Sequence, residues 1–538
     1  MENTQVLIVG AGPVGLTLAI DLGQQGIRCI LIDKKPGPEF LPKMERCNAR
    51  TMEIFRRIGI ADKVRAAGLD ADVPMDVFIT KSMTDVPLVH LDYPSVNEAR
   101  AEITKCEDTS LPAEPYQLIS QYTLEPLLRK VAEELPSVTI RYGTEFLTLA
   151  QDDSGVTVTA RGPDCKDIAI RASYLAGCDG GSSRVRHALG IKLRGEGNLL
   201  RLRQALYRCD DLFEKLPLGN GPGPGRHYHI TDHQNSFLIM QDSTRHWTLH
   251  AVVDDDAAMA SQFEKVIGVP VDYDMLYVGE WKQNLLLADR YNAGRVYLAG
   301  DAVHLVIPTG GLGMNTGIGD AIDLSWKLAA TLRGWGGPAL LRSYEVERRQ
   351  VGDRNIGASR YASTGRRKWR QSWSPEIESD ATKRANFIEL ADTEQRKTNE
   401  MIGAELGYRY VGSPVIWEEP GGPEQLFRVY DPTAWTGVRL PHAWIGDGQS
   451  IQDLAGRGFT LLSFGHEVPD VSPLTKSLGK SGAPVEAMHV SDPRLRDLYG
   501  RDLFLLRPDL HIAWRGNTLP DDIDHFIATI LGWNVSAH

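Results

Sequence analysis

The sequence predicts an α/β protein of several packed units, and three observations carry that reading. A strand-turn-helix-strand passage opens the chain, a second strand-to-helix passage runs through bare glycines after Gly300, and a block of alternating strands lies between them. At 538 residues the chain far exceeds the ~100–200 typical of one domain, so several units with room for a large buried ligand are expected.

The opening stretch, QVLIVGAGPVGLTLAIDLGQQGIRCILID, reads as a buried strand, a tight turn, an amphipathic helix and a second strand ending at Asp33. Gly10, Gly12 and Gly15 fit GxGxxG. The first glycine turns the chain, the second lets backbone approach a pyrophosphate, and the third lets helix and strand close up. Amides at the helix start then face phosphates, and Asp33 can accept ribose hydroxyls. The motif alone is weak; in this context it predicts a Rossmann-like unit binding a dinucleotide, with Pro13, Val14 and Lys34 among its contacts.

Three further segments follow in order. PKMERCNARTMEIFRRIGI carries Lys43, Arg46 and Arg50 into a helix; ISQYTLEPLLRKVAEEL exposes Gln121 at a helix start; YLAGCDGGSSRVRHALGI repeats the strand, glycine and helix pattern around Asp179, Gly180 and Gly181. The passage GDAVHLVIPTGGLGMNTG, Gly300 to Gly317, is the most specific, because it sets one acid and five glycines between a strand and a helix.

Taken together, GAGPVGL at Gly10 to Leu16, CDGGSSRVR at Cys178 to Arg186 and the run from Gly300 to Ala329 resemble the single-component (class A) FAD-dependent aromatic hydroxylases, the monooxygenases related to phenol hydroxylase and 4-hydroxybenzoate hydroxylase. The resemblance spans essentially the whole chain. It implies a discontinuous FAD-binding domain of the glutathione-reductase type (1–75, 116–190 and 285–360) and an inserted mixed β-sheet substrate domain (76–115 and 191–284). A helical connection (361–435) and a thioredoxin-like C-terminal domain (436–538) follow. By the same resemblance Asp33 holds the adenosine ribose, Lys43 or Arg46 the pyrophosphate, and Gln121 the ribityl region. Asp179 and Gly180 serve both FAD and the nicotinamide donor, and Gly300 and Asp301 meet the ribityl chain. Backbone at Gly311, Leu312, Gly313, Met314 and Asn315 lines the flavin ring, where glycines permit close approach and the helix start favours negative charge on the reduced ring. Pro308 sets the turn, with its carbonyl near the substrate hydroxyl.

The reaction so implied is NAD(P)H- and dioxygen-dependent hydroxylation of a phenolic substrate through a flavin hydroperoxide, the chemistry of aromatic compound degradation. A base must draw the phenol toward phenolate. Glu45 aligns with the acidic residue that meets the substrate hydroxyl in phenol hydroxylases. In RHYHITD, His227 and His229 share one strand face by the period of two, and Tyr207 and Tyr228 are further substrate candidates. Two alternatives stay open: oxygenation of a larger polyketide- or antibiotic-like substrate on the same scaffold, and a flavin-binding protein without turnover.

Composition bounds the rest. A net charge of −11 argues against nucleic acid as the main partner, and no apolar run reaches membrane-spanning length. Six cysteines, all within the first 209 residues and without CxxC pairing, suit a reducing cytoplasm, and no histidine or cysteine spacing points to a metal. GNGPGPG lacks a preceding apolar strand, so NADPH or NADH is expected to bind transiently without a Rossmann unit of its own. The basic run GRRKWRQSW reads as a solvated helix linking domains. The tail contains no cysteine, which excludes thiol redox chemistry and leaves a packing or homodimer role, with Arg507, Asp509, Trp514 and Arg515 as its structural signature.

Overall fold

A computed structural model describes residues 2–446 and 448–534. Its first sheet is parallel at its centre. The strand Glu2–Val9 lies between Cys29–Ile32 and Asp167–Gly177, with Val138–Arg141 beyond the former and Val296–Leu298 beyond the latter. Cys29–Ile32, Val296–Leu298 and the end of the first strand are buried on both faces and read as apolar runs, with Val6, Leu7 and Ile8 fully buried. An antiparallel meander, Glu145–Asp152, Gly155–Arg161 and Asp167–Gly177, completes the unit.

Register decides where the loops emerge. Val9 pairs with both Ile32 and Gly177, and Gly177 pairs with Leu298, so four strands end on one line. Gly10, Asp33, Cys178 and Ala299 therefore leave the sheet side by side, which is where ligands bind in open α/β sheets.

A second, seven-stranded sheet runs in the order Asp274–Lys282, Arg201–Arg208, His246–Ala251, Phe237–Met240, His227–Ile230, Val77–Thr80 and Val89–Leu91. Its outer face packs Tyr207, Tyr228, Trp247 and Leu249 against the helix Ala258–Ile267. Its inner face turns toward the first domain. A small sheet of Leu193–Glu196, Leu285–Ala288 and His304–Leu305 joins the two.

The tail has strand order Val485–Val490, Phe459–Phe464, Leu503–Leu506, Ile512–Gly516, with flanking helices Ser472–Lys480, Pro493–Tyr499 and Ile523–Ile530. This βαβ-ββα arrangement is thioredoxin-like. Before it, one helix runs unbroken from Pro338 to Ser372 and is followed by Ala381–Asn399. The boundary expected at 360 thus falls inside a single helix, because nothing between 338 and 372 breaks it. Among the described residues no helix is long and apolar enough to cross a membrane.

Candidate active site

Three turns meet at the end of the parallel sheet. A Cβ on Gly10 would collide with the Cys178 carbonyl, and φ of 110° there also favours glycine. One on Gly317 would stand 3.0 Å from Gly300 Cα, and Ala299 N donates to Gly177 O at 3.0 Å. The helix Pro13–Gln24 starts here with Gly12 as an N-cap that offers no side-chain hydrogen bond, which leaves first-turn amides free for an anion. Asp33 accepts from Ala11 N at 2.7 Å and from Lys35 N at 2.8 Å, so main chain fixes its carboxylate at the strand end.

Beside this turn lie Lys43, Gln121 and Glu125. Gln121 Nε2 donates to Glu125 Oε1 at 2.5 Å, and that oxygen stands 3.9 Å from where a Gly12 Cβ would sit. Burial raises the Glu125 carboxyl against the pull of Gln121, Lys35 and Lys43. Lys43 makes no ion pair among the described residues; burial and the neighbouring Lys35 hold its ammonium below the usual range. Lys34 is exposed. Asp301, open to solvent, likewise has no hydrogen-bond donor or ion-pair partner among the described residues; the protein packed around it raises its carboxyl, with His304 and Lys43 pulling the other way. Ser183 caps the helix Arg184–Ala188, and Asp179 backs it, accepting from Ser183 Oγ at 2.5 Å and Val185 N at 3.2 Å, while Gly180 takes φ of 80°.

The glycine loop after Pro308 is held from three sides. Pro308 O accepts from Gly311 N at 2.8 Å, which closes the turn, so one lone pair of that carbonyl is used. Asn315 donates to Arg46 O at 3.1 Å and Gly311 O at 2.6 Å and accepts from Asn48 N at 2.9 Å. Asp320 accepts from Gly300 N and His304 Nε2, both at 3.0 Å, and from Arg348 Nε at 2.8 Å. The helix Gly313–Leu332 begins without a side-chain cap, as Met314 and its neighbours present bare amides to the loop, while Leu312 is buried against Ala358, Ala362 and Met401. Arg46, expected as the alternative to Lys43 at the pyrophosphate, lies under this loop: it donates to Gly310 O at 2.9 Å and pairs with Glu405 at 3.2 Å. Its reach is set by the short strand Arg46–Cys47, which points the chain at Gly311 rather than at Gly12.

Over this loop stands the inner face of the seven-stranded sheet. Glu45 accepts from Arg226 at 2.6 and 3.2 Å and lies 3.0 Å from His227 Nε2. Burial would raise the Glu45 carboxyl, but Arg226 and His227 together hold it well below the usual carboxylate range. It is therefore an anion held in place by its two partners. Burial pushes His227 down to about 4, so its ring is neutral near pH 7. With Nε2–H given to Glu45, its Nδ1 holds a lone pair and has no partner among the described residues.

His229 shares the face but not the site. Gln395 Oε1 accepts from Trp369 Nε1 at 3.0 Å, so its amide donates to His229 Nε2, also at 3.0 Å, and seals the ring under the helices. The assignment of His229 to catalysis is thereby corrected. Tyr207 and Tyr228 are corrected as well. They point to the opposite face, with hydroxyls given to Met259 O at 2.7 Å and Gly223 O at 2.9 Å, both inside the domain core.

Arg226, Glu405, His250 and Arg366 escaped sequence reading. Arg366 lay in a run read as solvated. The run is divided instead by helix phase: Arg367 and Lys368 face water, whereas Arg366 and Arg370, four residues apart, turn inward.

Comparison with known proteins follows this geometry. Residues 3–359 match the model of the FAD binding domain family, and residues 433–533 match the aromatic-ring hydroxylase C-terminal family. The FAD-dependent monooxygenase apdD of Emericella nidulans is 32% identical, over 98% of this chain and 90% of its own. The structure of RebC with bound 7-carboxy-K252c superposes with a TM-score of 0.89 at 31% identity, covering 99% of both chains. An aklavinone-11 hydroxylase in ternary complex with FAD and aklavinone gives 0.83 at 28% identity, again over 99% of both.

Proposed function

The chain belongs to the family of FAD-dependent aromatic-ring hydroxylases, and from that premise we propose that it hydroxylates a phenolic ring with dioxygen and electrons from NADPH or NADH. Its relatives are FAD-dependent monooxygenases of aromatic substrates. The observation that supports the proposal is the meeting of three main-chain turns beneath a sheet face that carries the Glu45–His227 pair.

The residues fit the cofactor. Uncapped amides at Pro13–Gln24 and Lys43, which is unpaired among the described residues, suit a pyrophosphate, Asp301, without a partner among the described residues, suits ribityl hydroxyls, and the bare main chain at Gly310, Gly311 and Gly313 suits a flat ring at close range. FAD, when bound, supplies the redox chemistry that splits dioxygen between a ring hydroxyl and water. The chain's own part is to orient, dry and polarise. Leu312, Met401 and Ala404 wall the loop with apolar surface. Arg226 fixes Glu45, Glu45 fixes the His227 tautomer, and His227 Nδ1 takes hold of the phenol proton, which enriches the ring at the moment of attack.

A larger polyketide-like substrate is a second reading, favoured by the aklavinone-bound neighbour that matches this chain from end to end. The test is a panel of phenols of one to four rings with the FAD-loaded protein. NAD(P)H and dioxygen consumption should rise with at least one of them and its product should gain one oxygen atom; no stimulation by any of them ends the hydroxylase assignment.

A further inference from the structure

The arginines that reach the inner sheet face are satisfied with one exception. Arg226 is paired with Glu45, and Arg370 gives both terminal nitrogens to Ile230 O and Ser236 O at 2.9 Å. Arg348, at the base of the glycine loop, is paired with Asp320. Arg366 has neither a hydrogen bond nor an ion pair among the described residues; it is half-buried, with its Nε shut off from water and its terminal nitrogens accessible. Its guanidinium carbon lies 5.1 Å from the centre of the Phe237 ring, on which His250 stacks at 4.3 Å with only 2° between planes. Trp281 meets His250 edge-on at 5.7 Å. His250 Nδ1 and Trp281 Nε1 are also buried without partners, so three polar groups idle around one aromatic wall.

Charge sharpens the point. Burial keeps the surrounding histidines neutral, pushing His250 down to about 3, and Glu45 is already spent on Arg226. Arg366 is left as the uncompensated cation, and burial with Arg370 nearby lowers even its guanidinium to about 9. A half-buried guanidinium without a counter-ion, its terminal nitrogens open, offers a two-pronged site to an arriving carboxylate.

The long helix supplies a ruler. Ser359 Oγ donates to Ile307 O at 2.8 Å and so marks the level of the Pro308 turn. Arg366 stands seven residues further along the same helix, roughly 10 Å at 1.5 Å per residue. We propose that the substrate is an extended aromatic acid, of at least two fused rings, whose carboxylate docks on Arg366 while its hydroxylated ring lies two helical turns away over the Pro308 loop. The inference rests on the hydroxylase reading for the position of the reacting ring, but the docking itself is a matter of binding.

That separation shapes the experiment. The FAD-loaded protein is titrated with 6-hydroxy-2-naphthoic acid and its methyl ester, following the flavin absorbance, in the wild type, Arg366→Lys and Arg366→Gln. The acid should bind the wild type about 30-fold more tightly than the ester; Arg366→Gln should lose about that factor for the acid alone, and Arg366→Lys should fall between them. Equal affinity for acid and ester in the wild type, failure of the acid to bind, or an equal loss of both ligands in Arg366→Gln overturns the proposal. Should Arg366→Gln not fold, the wild-type pair and Arg366→Lys still decide. If the acid binds selectively yet no acid or ester yields a hydroxylated product, the hydroxylase reading fails and the docking site stands.

Discussion

At the scale of single residues, His227 carries the sharpest prediction. His227→Gln removes the Nδ1 acceptor and should slow hydroxylation about 100-fold. The loss should shrink for a nitrophenol that is already ionised at neutral pH. A neutral ring is the working form, and burial has moved its titration from 6.5 down to about 4, so the rate should fall only as pH drops through about 4. An acid limb near 6.5 would show a histidine in water instead. Residues whose role is to be small, such as Gly10 and Gly311, were legible in the sequence because their spacing states the requirement. Residues whose role depends on a distant partner were not: Arg226 and Glu45 are 181 positions apart, and neither position advertises the pair.

Whole elements hold the site open to the cofactor. The helix Gly313–Leu332 carries the glycine loop at its start and is clamped further along, where Lys327 bridges Asp323 at 2.8 Å and Glu347 at 2.5 Å. Arg507 of the C-terminal domain closes the same cluster, reaching Glu347 at 2.6 Å, Asp323 at 2.8 Å and Asp509 at 2.5 Å. The thioredoxin-like tail thus serves as a clamp on the flavin-side helix. Arg507→Met would leave three buried carboxylates facing one lysine and should cost about 3–5 kcal/mol. Chemical denaturation of the FAD-loaded variant would read it as an early release of flavin fluorescence. An unchanged midpoint would make the cluster incidental. Strands and glycine turns were readable from period and composition. The domain division expected at 360 falls inside the continuous helix Pro338–Ser372, because a change from apolar to charged residues marks a change of surroundings and not the end of a helix.

Over the whole molecule, strand register sets where the site forms. Four parallel strands end level, and this alone brings Gly10, Cys178 and Gly300 together from positions hundreds of residues apart. The order of the motifs along the sequence announced that convergence, whereas the facing of the substrate sheet, inner polar row against outer apolar core, needed coordinates. The most direct measurement is the FAD content of the purified chain, counted from its visible spectrum, beside that of Asp301→Asn. The wild type should carry one FAD per chain and the variant should hold it ten- to a hundredfold more weakly, about the worth of a charged hydrogen bond to the ribityl hydroxyls; a colourless wild type that refuses added FAD, or a variant that stays fully yellow, would contradict the account.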